Sequence, residues 1–211
     1  MYLPAHFEEA RSEVLQALMR EHPLATLVAH GADGLVANHL PLHFAAEVAP
    51  CGALQGHVAR ANPLWEVSAD TDVLAIFQGL QAYVTPSWYP TKREHGKAVP
   101  TWNYVVVHAR GRLRVIDDPV WLRAQLESLV ASNEAGLAEP WRINDAPPAY
   151  IDTMLAAIVG IEITITDLKG KWKISQNQPQ ANRSGVVAGL RQRGTADALA
   201  MAELVARTLP P

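Results

Sequence analysis

The chain has 211 residues, a formal net charge of -3, 49% hydrophobic and 18% charged residues, and one cysteine. That length can bury a real core, and the composition excludes a disordered polymer and a disulfide scaffold. The acidic balance argues against a dedicated nucleic-acid-binding domain, whose phosphate contacts need concentrated Lys and Arg.

Cys51 alone cannot form an intrachain disulfide, so a reducing compartment is expected. The start "MYLPAHFEEA" lacks the basic and apolar regions of a secretory signal, and the expected location is cytoplasmic. Val14, Leu15, Leu18 and Met19 form one stripe of a first helix, which Pro23 ends. A β region follows. "LATLVAH" and "LVANHLPLHF" flank Gly31-Ala32-Asp33-Gly34, which is hairpin chemistry. "ALQGHVA" and "DVLAIFQ" read as strands on either side of a short helical piece from Pro63 to Ser68.

Val73 to Thr91 is uncharged over the length of a membrane span, but Gly79, Pro86 and Pro90 would leave backbone groups unpaired in lipid. It reads as two adjacent strands, with no membrane partner. In Tyr104 to Ile116 the apolar Val105, Val107, Ala109, Leu113 and Val115 alternate with His108, Arg110, Arg112 and Arg114. Asp118-Pro119 opens a helix whose inner face is Leu122, Leu126, Leu129 and Val130, and a second short helix starts near Pro148. "IEITITDL" returns to the sheet. The end is helical, with Thr195 as cap and Leu199, Ala202 and Val205 inward.

Six or more strands with hairpin-length links predict a mainly β protein, an antiparallel barrel with peripheral α-helices at both ends and in one insertion. No repeat or linker divides residues 1–211, which read as one domain with a helical C-terminal extension from about residue 180.

No dinucleotide or phosphate-binding glycine loop, nucleophile elbow, HExxH or CxxC is present. His39 and His43 on one strand would stand roughly 13 Å apart at about 3.3 Å per residue, too far for one metal ion. Pro41 removes a ladder donor, so its strand is at an edge, bulged or facing a ligand. In "GHVARANP", His57, Arg60 and Asn62 gather beside a helix start. That corner suits a phosphate, and equally a solvated Arg with Asn62 as a helix cap.

The segment "YVTPSWYPTKREHGKAVPTWNY" brings Ser87, Trp88, Tyr89, Trp102, Asn103 and Tyr104 together. Such aromatic and amide groups suit a flat heterocycle, and equally core packing under a loop or a dimer contact. "GKWKISQNQ" adds Lys173, Ser175 and Gln176, as a turn or as part of a polar site. The stripe from His108 to Arg114 reads as a solvated face, and Arg183, Arg191 and Arg193 are weak evidence for DNA binding.

Six motifs in order, "MYLPAHF", "NHLPL", "GHVARANP", "YVTPSWYPTK", "VPTWNY" and "KISQN", resemble the PaiB-type FMN-binding negative transcriptional regulators. The resemblance implies a six-stranded FMN-binding split barrel, usually a homodimer with FMN near the subunit interface. It also implies that His39, Leu40, Pro41 and Leu42 lie along the flavin ring and that Arg60, Asn62 and His57 hold the phosphate. "PSWY" and "TWNY" would line the ring and interface, with Lys173, Ser175 and Gln176 completing the site; Lys173 or Lys92 would stand near the pyrimidine end. Two functions stand side by side. One is a regulator that uses flavin as a redox or metabolite sensor, with DNA as a weakly supported partner. The other is an FMN-dependent oxidoreductase drawing on NAD(P)H.

Overall fold

A computed structural model describes residues 1–31, 34–48, 51–66 and 71–210. Among them are eight strands: β1 (Glu8–Glu9), β2 (Leu24–Gly31), β3 (Gly34–Pro41), β4 (His43–Ala45), β5 (Ala53–Ala59), β6 (Thr71–Val84), β7 (Thr101–Ile116) and β8 (Ile158–Lys173). The six α-helices are α1 (Ser12–Glu21), α2 (Thr91–His95), α3 (Pro119–Glu134), α4 (Pro148–Ala156), α5 (Gln180–Arg193) and α6 (Ala196–Ala206). The sheet order is β3-β2-β6-β7-β8-β5-β4, with β1 pairing off β8. This is the mainly β architecture with helices that the patterning predicts, with more strands than six.

The chain divides into two compact units: residues 1–18, 78–107 and 169–211 form one, and residues 19–77 and 108–168 the other. The second unit holds the antiparallel pairs of β2 with β3 and β6, and of β5 with β4 and β8. Its core is apolar and tight: Leu27, Leu54, Phe77, Leu113, Ile161 and Ile163 are fully buried. Asp118 caps α3, its carboxylate accepting from Val120 N at 2.9 Å, as the Asp-Pro pair predicts. Leu122 of α3 packs with Ile151 and Leu155 of α4. In the first unit α5 packs on α6, where Val186 and Leu190 meet a helix whose buried residues include Met201 and Val205. Thr195 caps α6 by accepting from Ala198 N at 3.3 Å.

Four sequence expectations differ from the structure. Val73 to Thr91 holds one strand, β6, rather than two, and Gly79 does not break it. Buried positions are odd at Val73, Ala75 and Phe77 and even at Ala82 and Val84, so the inward face changes within one strand. β8 runs on through Lys173, past the end of "IEITITDL". "LVANHLPLHF" is split at Leu42, whose N–H goes to Pro23 O at 2.9 Å, so His39 and His43 stand on different strands. Leu199 is exposed, and Ala198 and Met201 take the inward positions of α6 beside Ala202 and Val205. The tip Ala32-Asp33 and Ser68 lie outside the described residues.

Candidate functional site

The predicted residues fall in both units, and each group has its own setting. In the second unit, β3 stands at the end of the sheet order with Pro41 as its last residue, where a missing N–H costs no interior ladder bond. Leu40 and Leu42 are buried. His39 Nδ1 lies 3.1 Å from Thr26 Oγ1 on the paired strand. His57, on β5, places Nδ1 3.0 Å from Oε1 of the buried Gln125.

Arg60 is heavily engaged. Its Nη1 and Nη2 donate to the two carboxylate oxygens of Asp117 at 3.0 and 2.6 Å, while Nε donates to Ala156 O at 3.0 Å and Nη2 also to Ile158 O at 3.1 Å. The fork ties the end of α4 and the start of β8 to the residue after β7. Beside the Arg60 guanidinium, the Asp117 carboxyl sits below its ordinary range. Asn62 does what a cap does: Oδ1 accepts from Leu64 N at 2.9 Å, and Nδ2 donates to Asn38 Oδ1 at 2.8 Å.

In the first unit, four predicted residues line one cavity of about 230 Å³: Tyr89, Asn103, Lys173 and Ser175. Their neighbours in its wall include Thr91, Lys97, Thr101, Asn177, Gln178 and Asn182. Lys173 Nζ donates to Thr101 Oγ1 and, at 2.6 Å, to Trp102 O. Burial, then the nearby Lys171, push the Lys173 ammonium below its usual pKa. Ser175 adopts φ +65, a left-handed conformation uncommon outside glycine, and its buried Oγ accepts from Asn103 Nδ2 at 2.9 Å. Asn182 Oδ1 accepts from the Thr91 hydroxyl at 3.0 Å.

The remaining predicted residues of this unit do other work. Trp88 packs on α5, where a Cβ on Gly189 would come within 2.2 Å of its indole, and Arg193 stacks 5.8 Å above the ring. Trp102 meets Tyr83 edge-on at 5.8 Å, and Tyr104 lies 5.3 Å from Lys171 Nζ. Ser87 is exposed beside the Thr85 cap of its turn, and Gln176 braces the chain after β8 by accepting from Ile174 N at 2.8 Å. Lys92 is exposed on α2 and is not in the cavity wall. Sequence reasoning missed Gln178 and Asn182, although the amide-rich run "QNQPQAN" directly after β8 carried a signal.

An antiparallel β architecture with peripheral helices is the fold of flavin-binding split barrels. The structure matches that of the flavocytochrome Anf3 from Azotobacter vinelandii with a TM-score of 0.59 at 16% identity, over 79% of this chain and 69% of that one. It matches the FAD and heme binding protein from Mycobacterium smegmatis with a TM-score of 0.59 at 17% identity, over 79% and 73%. Residues 1–167 match the family model described as "Putative FMN-binding domain". The chain therefore belongs to that FMN-binding domain family. It is 32% identical to the protease synthase and sporulation protein PAI 2 of Bacillus subtilis (strain 168), over 97% of this chain and 96% of that protein. It is 33% identical to an uncharacterized protein of Emericella nidulans, over 97% and 96%.

Proposed function

We propose that this protein binds FMN and uses it as a redox or metabolite sensor, in the manner of a PaiB-type regulator. The observation that carries the reading is the family match over residues 1–167. The donor set of the first unit fits the group: ammonium, hydroxyl and amide donors line its cavity with no carboxylate among them. FMN, when bound, supplies reversible electron acceptance. The chain's own part is to bind and orient it: Lys173 and Thr101 offer donors in the cavity wall, and the aromatic rings of Tyr83 and Trp102, outside that wall, offer flat apolar surface.

A homodimer and a cytoplasmic location belong to the same reading. Leu35 and Val36, exposed near the turn end of the edge strand β3, supply apolar surface for a second copy. Direct DNA contact is left out, because the candidate arginines are engaged: Arg183 donates to Thr208 O, Arg191 pairs with Glu203 at 2.8 Å, and Arg193 lies over Trp88. Absorbance during titration with FMN tests the binding claim. Anaerobic NADH or NADPH then separates sensor from oxidoreductase: slow bleaching of the bound flavin is expected, and rapid bleaching would favour the enzyme.

A further inference from the structure

We propose that the cavity between α3 and the segment following it binds a free α-amino acid with an apolar side chain, its ammonium on Glu134 and its carboxylate on Arg142. The site lies in the second unit and uses none of the residues assigned to the flavin, so it stands or falls apart from that reading.

Volume comes first. The cavity measures about 440 Å³, inside the roughly 300–1,000 Å³ of whole-ligand pockets. Its apolar wall is anchored. Ile143 is buried in the core that joins α3 to α4, and Val130 packs against that core. Ala131, Pro140 and Trp141 extend the same surface, and Trp141 keeps 43% of its area exposed, which leaves part of the indole open to a ligand.

Polar contacts fix the segment that closes the cavity. Glu134 Oε2 accepts from Trp141 N at 2.9 Å, and Asp145 Oδ2 accepts from Arg142 N at 2.8 Å. Arg123 Nη2 donates to Asn144 Oδ1 at 2.7 Å. The wall is thus set before a ligand arrives, which lowers the ordering cost of binding.

Charge decides the class of ligand. The wall carries two carboxylates, Glu127 and Glu134, and one guanidinium, Arg142. Glu127 already pairs with Arg123, one helical turn away, at 3.3 Å. Glu134 is half-buried and engages only Oε2, so Oε1 is left to accept. The Arg142 guanidinium has no ion-pair partner among the described residues. One unanswered negative group and one unanswered positive group over an apolar surface match a zwitterion with an apolar body. A simple amine would leave Arg142 unmet, and a simple carboxylate would leave Glu134 unmet.

The test is isothermal calorimetry on the full chain with four probes: L-phenylalanine, phenethylamine (ammonium only), hydrocinnamate (carboxylate only) and L-serine (both charges, no apolar body). L-phenylalanine should bind most tightly. Loss of either charge should cost about 10-fold, the low end for a hydrogen bond to a charged group because Arg142 is exposed to water. Glu134→Gln, which keeps an acceptor for Trp141 N, should weaken L-phenylalanine and phenethylamine by a similar factor and spare hydrocinnamate. Arg142→Met should weaken L-phenylalanine and hydrocinnamate and spare phenethylamine.

Binding of L-phenylalanine no tighter than phenethylamine or hydrocinnamate would overturn the proposal, and so would L-serine binding as tightly. Equal loss of all probes in a variant with an unchanged melting temperature would overturn it too. So would no heat with any probe from folded wild type, whatever the same sample does with FMN.

Discussion

Arg60 shows how one residue type admits two jobs. "GHVARANP" announced an Arg and an Asn beside a helix start, and the Asn cap was legible because its partner, Leu64, lies two residues away. The Arg partner, Asp117, is 57 residues off, and no local pattern points to it. Arg60→Ala is expected to lower the melting temperature, because it removes the fork onto Asp117 and the bonds to two carbonyls; an unchanged melting temperature would remove its role as a brace. His108 supplies a pH test. Burial, with help from Arg110, holds its imidazole below the ordinary value of 6.5. The unfolded chain therefore takes up this proton first as pH falls, so stability drops from about pH 6.5 down to the folded-state value and is flat again below it. His108→Gln should flatten that part of the melting-temperature profile, whereas the same slope in both proteins would exclude His108 as its source.

At the scale of elements, local pattern located most strands and the caps Asp118, Thr195 and Asn62, because alternation and capping act within a few residues. It failed where the buried face changes within one strand. The buried face of β6 moves from odd to even positions between Phe77 and Ala82, and a polar stretch with Gly79 at that point looks like a break. The seat of Trp88 was equally hidden. Gly185 and Gly189 lie about one turn apart on α5, and added Cβ atoms would come within 1.9 Å of Trp88 O and 2.2 Å of its indole. Gly189→Ala should destabilise by about 1–3 kcal/mol in urea unfolding, overpacking outweighing the roughly 1 kcal/mol that alanine gains in a helix. Gly136→Ala, with nothing within 4 Å of the new Cβ, is the control and should be neutral or slightly stabilising. Equal effects at both sites would contradict the packing.

For the whole molecule, composition and strand pattern were enough for the fold class, and ordered motifs spread along the chain were enough for the family. The candidate site was legible only in part. Tyr89, Asn103, Lys173 and Ser175 come together from three segments, while Gln178 joins them from the end of "GKWKISQNQ" and Asn182 from the region beyond about residue 180 that was set aside as an extension. Motif matching ranks residues by sequence neighbours, and a cavity wall is assembled across the chain. Among the described residues no helix is long and apolar enough to cross a membrane. Electrostatics also act at this scale. Arg112 and Arg114 pair with Asp72 and Glu162, so the basic stripe of β7 is largely neutralised and leaves little field for a polyanion.

The central claim, that this chain is a flavin nucleotide-binding protein, is tested most directly by titrating the purified protein with FMN while recording absorbance and fluorescence. The account predicts saturable quenching of flavin fluorescence with a shifted, structured absorbance band. Unchanged spectra across the titration, from protein shown to be folded, would contradict it.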